Sequence, residues 1–170
     1  KDNGCLISFD PNLRLSLWKT PEEARRRILY GMKQCDIMKI SEEEVAFVSE
    51  QESLEKGVSF IRDNSDIKIL FVTLGNKGSI AYYKDEKIYC GGIHQEHVVD
   101  TTGAGDTFCG AVLSRILELG TDALTEKDIR EMLLFANAAA SIVVTRKGAL
   151  CSMPEPEEIR AASSLIDKVL

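Results

Sequence analysis

The residues best suited to chemistry are concentrated in one run, Asp100-Thr101-Thr102-Gly103-Ala104-Gly105-Asp106-Thr107-Phe108. Small residues at 103–105 let the backbone approach an anion closely, and successive N–H groups at a helix N-terminus favour negative charge. Gly103, Ala104 and Gly105 therefore read as an anion hole. Asp106 falls in the first turn of the helix that follows. A carboxylate there can take the proton of an attacking hydroxyl while backbone N–H groups hold a phosphoryl group. The same residues also describe a glycine turn followed by a helix-starting acid, and spacing alone does not choose. Two nucleotide fingerprints are excluded. G-x-G-x-x-G fails because Phe108 occupies the third glycine position, and G-x-x-x-x-G-K-[ST] is absent.

The elements that must position this run alternate strand and helix. Cys5 to Phe9 is a short apolar run ended by the turn-former Asp10-Pro11-Asn12. Thr20-Pro21-Glu22-Glu23 predicts a capped helix running to about Cys35, with Pro at its first position and Glu23 closing a capping box. Ile37 to Ile40 reads as a strand, Ser41-Glu42-Glu43-Glu44 as a second boxed helix start, and residues 53–63 as a third helix. The uninterrupted Ile69-Leu70-Phe71-Val72-Thr73-Leu74 fits a strand buried on both faces of a parallel sheet. Ser79–Tyr83 and Lys87–Cys90 form a small β-hairpin around Lys84-Asp85-Glu86, and His97-Val98-Val99 is expected to be a further strand. Helices follow from Gly105 to about Leu119, from Glu126 to about Val144, and from Pro156 to Leu170. The order predicts an α/β fold with a largely parallel, helix-flanked sheet. No repeat, linker or low-complexity tract divides the chain, so it reads as one unit.

Bulk properties narrow the function classes. The 170 residues carry a formal charge of -6, and no Lys/Arg cluster exceeds Arg25-Arg26-Arg27, read as a solvent-facing part of its helix. Nucleic acid and anionic membrane surfaces are poor partners for such a chain. Five cysteines without C-x-x-C spacing read as reduced thiols, mostly in the core, of a cytosolic protein. No apolar run is long enough to span a bilayer. His94 and His97 share an H-x-x-H spacing, but strand alternation would point them to opposite faces, against a metal pair. The start at Lys1, running directly into a strand, reads as a start inside a domain.

The segment D-T-T-G-A-G-D-T-F-C-G-A is similar to the C-terminal signature of the PfkB/ribokinase family of carbohydrate kinases. Other segments resemble the same family in the same order: Asp10-Pro11-Asn12-Leu13-Arg14 with Leu17-Trp18, Thr73-Leu74-Gly75-Asn76-Lys77-Gly78, and Ala136-Asn137-Ala138-Ala139-Ala140 running into Thr145-Arg146-Lys147-Gly148-Ala149. The likeness covers nearly the whole chain and is strongest to fructokinases. It implies part of a ribokinase-like fold, ATP-dependent phosphorylation of a sugar hydroxyl with Mg2+, a homodimer in the full-length form, and a cytoplasmic location. Asp106 would be the base and Gly103, Ala104 and Gly105 the anion hole. Thr73, Gly75 and Gly78 would line the ATP phosphates and ribose, and Asn137 would border the adenine. A K+ ion would sit near the anion hole on Asp100 and Thr102, with carbonyls around Val144 and Gly148, and on Ser152.

Arg14 would reach toward substrate or γ-phosphate, since a guanidinium suits phosphate geometry. The family's N-x-x-E element, which organises Mg2+ through water, reads Ser41-Glu42-Glu43-Glu44, with Ser in place of Asn. Glu44 can still support Mg2+, and a capping box explains it equally well. Residues 1–170 would thus be the nucleotide-binding, base-carrying portion of a single sugar-kinase domain. The sugar-binding and lid half would be absent, since family members are about twice this length. Kinases of 2-keto-3-deoxygluconate or of a nucleoside, and a non-catalytic nucleotide-binding module, stay open as alternatives.

Overall fold

Strand β1 (Ser8–Phe9) pairs in parallel with β2 (Ile37–Ser41), and β2 pairs in parallel with β3 (Ile69–Thr73), in the register Ile37↔Ile69 to Ser41↔Thr73. Parallel neighbours need crossovers. Helix α1 (Pro21–Met32) links β1 to β2, and α2 (Glu42–Ser49) with α3 (Leu54–Asp63) links β2 to β3. The chain continues through β4 (Gly78–Tyr83), β5 (Glu86–Gly91), α4 (Ala104–Leu119), α5 (Glu126–Val143) and α6 (Pro156–Ile166). Strand order in the five-stranded sheet follows chain order, β1-β2-β3-β4-β5. This computed structural model describes residues 3–166, so the expected last turn of α6 lies outside the described residues.

Two compact units make up the chain. The first runs through Thr73 and takes in Tyr82–Asp85; the second holds Leu74–Ala81 and the chain from Glu86 onward. No polar linker marks this division: its boundaries fall at the end of β3, within β4 and at the start of β5.

In the first unit, Met38, Ile40, Ile69, Leu70, Phe71 and Val72 are almost wholly excluded from solvent, together with Ala24, Ile28 and Met32 of α1 and Val58 and Ile61 of α3. Each such larger side chain contributes about 1.5–3 kcal/mol by leaving water. The helices start where the caps predict. Ser41 with Glu44 closes the expected capping box. Thr20 Oγ1 accepts from Glu23 N at 3.1 Å, but the box expected at Glu23 is only half formed, since no Glu23 side-chain bond returns to Thr20 N. Ser53 Oγ, not singled out in the sequence, accepts from Lys56 N at 3.3 Å. Arg25 departs from the solvent-facing expectation: its Nε donates to Val48 O at 2.8 Å and its guanidinium pairs with Glu50.

In the second unit, α5 packs along α4 and is buried on more than one face, with Met132, Leu134, Ala138 and Ala139 enclosed beside Ile129, Leu133, Ala136 and Val143. Thr125 and Asp128 box its N-terminus. The expected strand at His97–Val99 is not formed. This stretch is irregular and exposed, and its order comes from Val99 N and Asp100 N, which both donate to Val144 O at 2.7 and 3.2 Å. One carbonyl at the end of α5 has replaced a strand ladder.

Candidate active site

Helix α4 begins differently from α1, α2, α3 and α5, whose starts are closed by Ser or Thr hydroxyls. Its N-cap is Gly103, in the left-handed region at φ 84°, with no side-chain cap. A side chain there would be strained, and its Cβ would stand 3.2 Å from that of Ala149. Ala104 N–H turns back to Thr101 O and Thr107 N–H to Gly103 O, leaving Gly105 and Asp106 N–H as the uncommitted donors of the first turn among the described residues. Uncommitted N–H groups at the positive end of a 16-residue helix make a site for an anion. The Asp106 carboxylate is exposed in that same turn, accessible to a hydroxyl.

Beside this turn lies an oxygen-rich loop. Asp100 Oδ1 accepts from Thr102 N at 2.9 Å, and Oδ2 accepts from Gly148 N at 3.3 Å. The Thr102 N–H and hydroxyl, then the Gly148 N–H, hold the Asp100 carboxyl below its ordinary pKa of 3.8 by favouring its charged form. Gly148, at φ 97°, turns the chain into the 3-10 turn Leu150–Ser152. There the buried Ser152 hydroxyl lies against the carbonyls of Gly148 and Ala149, 2.7 Å from the latter. Asp100, Gly148, Ala149 and Ser152 thus offer hard oxygen donors with one formal charge, a set that fits a monovalent cation. Val144 O fits less well, since it already accepts two N–H groups.

The residues assigned to nucleotide divide into two kinds. Gly78, at φ 107°, is required by the fold: a Cβ there would meet Cys90 O at 2.2 Å and Gly92 N at 2.5 Å. Gly75 is left-handed at φ 61°, and a Cβ there would meet nothing within 4 Å, so its surface is open to another molecule. Asn137 is buried and fully engaged. Its Oδ1 accepts from Ser79 Oγ at 3.0 Å, and its Nδ2 donates to Cys90 O and Gly91 O, both at 3.2 Å. With both amide hydrogens committed, Asn137 shapes the ends of β4 and β5 and has none left for a base. Thr73 closes β3 opposite Ser41. Gly92 and Tyr89, not singled out in the sequence, close up against the turn at Gly75–Lys77: a Cβ at Gly92 would meet Asn76 O at 2.1 Å, and the Tyr89 hydroxyl donates to Lys77 O at 2.7 Å. The adjacent glycines, Gly91 and Gly92, were the available signal.

Arg14 and Glu44 belong to the first unit. The Glu44 carboxylate accepts Leu13 N at 2.6 Å and Ser41 N at 2.9 Å, one on each oxygen. One lone pair stays free on each oxygen, which fits Mg2+ held through water better than direct ligation. Asp10 Oδ2 pairs with Lys39 Nζ at 3.1 Å. Burial pushes the Asp10 carboxyl above its ordinary range; Lys39 offsets part of this rise and the Glu44 charge adds to it. Arg14 is exposed, and its Nη1 donates to Leu13 O at 3.0 Å.

An open helix N-terminus, an exposed acid in its first turn and an adjoining hard-oxygen loop make a site suited to an anion such as phosphate. The pfkB family carbohydrate kinase model matches residues 1–156, and the chain belongs to that family. Fructokinase-1 of Oryza sativa subsp. japonica is 42% identical over 161 residues, covering 94% of this chain and 49% of the rice protein. Among solved structures, a double mutant of the Vibrio cholerae O395 fructokinase, bound to fructose, ADP and potassium ion, has a TM-score of 0.83 at 33% identity, over 92% of this chain and 49% of that one. An E. coli protein provisionally named Ribokinase II, in complex with ATP and Mg2+, has a TM-score of 0.80 at 31% identity, over 96% and 50%. The chain spans about half the length of these relatives. No helix among the described residues is long and apolar enough to cross a membrane.

Proposed function

We propose that this protein transfers the γ-phosphoryl group of ATP to a sugar hydroxyl, with fructose as the preferred acceptor and the phosphate placed on its 6-hydroxyl. The observation that carries the reading is the uncapped start of α4, with Asp106 exposed beside two uncommitted backbone N–H groups. Asp106 accepts the hydroxyl proton as the oxygen attacks phosphorus. The Gly103-Ala104-Gly105 backbone holds the charge that gathers on the transferring group, from donors already in place. ATP supplies the phosphoryl group, and Mg2+ neutralises charge on its phosphates when bound.

Gly75, with its open left-handed surface, and Gly78 lie along the nucleotide in this reading, and Asn137 shapes the adenine end. Thr73 and Arg14 are assigned to the phosphates and substrate by resemblance alone, as is Glu44 to Mg2+ through water. Asp100, Thr102, Gly148 and Ser152 hold K+, with Thr102 fixing the Asp100 carboxylate. The same resemblance carries a cytoplasmic, homodimeric intact protein in which the chain supplies the phosphate machinery and other sequence supplies most sugar contacts.

The test is coupled ADP release by the intact protein with ATP, Mg2+ and a panel of fructose, 2-keto-3-deoxygluconate and a nucleoside, in K+ and in a large organic cation. Fructose-dependent ADP release, several-fold faster in K+, is expected. No acceptor raising ADP release above the ATP-only rate would overturn the reading.

A further inference from the structure

Lys39 sits in the middle of β2 between Met38 and Ile40, both fully excluded from solvent, and is itself only 6% exposed. A lone ammonium in such a place costs several kcal/mol, so it persists only with a partner. That partner is Asp10, 3.1 Å away, and the Asp10 side chain is also largely enclosed. The other Asp10 oxygen accepts Asn12 N at 3.1 Å, where the chain enters the left-handed region at φ 42°. One residue on, Leu13 N is held by Glu44, whose second oxygen closes the α2 capping box. The charged groups acting on Asp10 are therefore Lys39 from β2 and Glu44 from α2: two carboxylates with one ammonium. Remove the ammonium, and two enclosed carboxylates repel within the loop that leads to Arg14.

We propose that Lys39 is a positioning residue, whose charge pins Asp10 and so fixes the Asp10–Arg14 backbone from which the Arg14 guanidinium projects. The role rests on the kinase reading above, in which Arg14 meets substrate. Lys39 acts through Asp10 and needs no ligand contact of its own. A group that only balances a neighbouring charge becomes dispensable once that charge is removed as well. A group that touches substrate does not.

The experiment compares Lys39→Met with the double variant Asp10→Asn/Lys39→Met in the intact protein. Two quantities are read: kcat/KM for ATP-dependent phosphorylation of fructose, and hydrogen exchange at the Asn12 and Leu13 amides. Lys39→Met is expected to lower kcat/KM about 100-fold, the usual effect of a small misplacement of a binding group, and to speed exchange at both amides at least tenfold. The double variant should regain at least tenfold of the lost kcat/KM and restore amide protection. A double variant as impaired as Lys39→Met, with protection restored, would show that Lys39 touches ligand and would overturn the proposal. Unchanged turnover and exchange in Lys39→Met would overturn it too. If the wild type shows no kinase turnover, the functional reading fails by itself, and amide exchange still decides the pinning. If Lys39→Met does not fold, the double variant decides alone: protected amides with near-normal turnover support the role, and an unfolded or unprotected double variant overturns it.

Discussion

The first unit's cluster around Lys39 and the second unit's loop around Asp100 use the same residue type to opposite ends. Asp10 is enclosed, faces one ammonium and a second carboxylate, and is harder to ionise than a free aspartate. Asp100 is half-exposed, receives backbone N–H groups from Thr102 and Gly148, and ionises more readily. Solvent and N–H donors stabilise a carboxylate, whereas an enclosed ion pair recovers only part of the hydration it loses. The enclosed cluster is suited to holding one loop shape. The open loop is suited to admitting ions.

Several experiments can break or sharpen this contrast. The largest effect is expected at the open site. Asp106→Asn should lower kcat by about 10²–10⁴ with little change in stability, since a positioned base is lost without disturbing packing. Steady-state kinetics beside a urea titration measures both, and near-normal turnover would remove Asp106 as the base.

Next come two glycines of one turn, which should separate cleanly in urea denaturation. Gly78→Ala should lose about 3 kcal/mol or more, because strain at φ 107° adds to a backbone collision with Cys90 and Gly92. Gly75→Ala should lose only about 1–2 kcal/mol from its left-handed conformation, and should weaken nucleotide binding measured by calorimetry instead. Equal losses of stability at both positions would mean that Gly75 is as structural as Gly78.

Asn137→Ala should cost about 2–3 kcal/mol by leaving the Ser79 hydroxyl and the Cys90 and Gly91 carbonyls without their partner. Bound ATP should protect this variant to the same degree as the wild type at saturating concentration, since the amide has no hydrogen to offer a base.

The smallest effects lie in acid, and their signs differ. The raised pKa of Asp10 contributes stability that is present below its unfolded value, near 4, and lost as pH rises through the folded value. The lowered pKa of Asp100 contributes stability that is present above that same unfolded value and lost as pH falls through the folded one. In denaturation measured from pH 3 to 6, Asp10→Asn should therefore flatten the decline above pH 4, and Asp100→Asn should flatten the rise below it. Identical profiles for the two variants would erase the comparison.

Much of the fold and part of the site were legible in the residues. The caps at Thr20 and Ser41, the buried runs of β2 and β3, and the glycine run opening α4 are local signals, because side-chain caps and apolar periods act within one or two turns of chain. Asp106 in the first turn of α4 was determined the same way. The failed strand at His97–Val99 shows where local reading stops: its two valines are good strand formers, but the hydrogen-bond partner available was one carbonyl at the end of α5. Asp106 and the 103–105 turn were thus set by sequence alone. Only the tertiary structure decided that Gly78 answers to Gly92 while Gly75 faces open space, that Asn137 is spent inside the fold, and that Lys39, an unremarkable lysine in a strand, carries the charge opposite Asp10. Each of those facts is a distance between residues far apart in the chain, and no local propensity encodes such a distance.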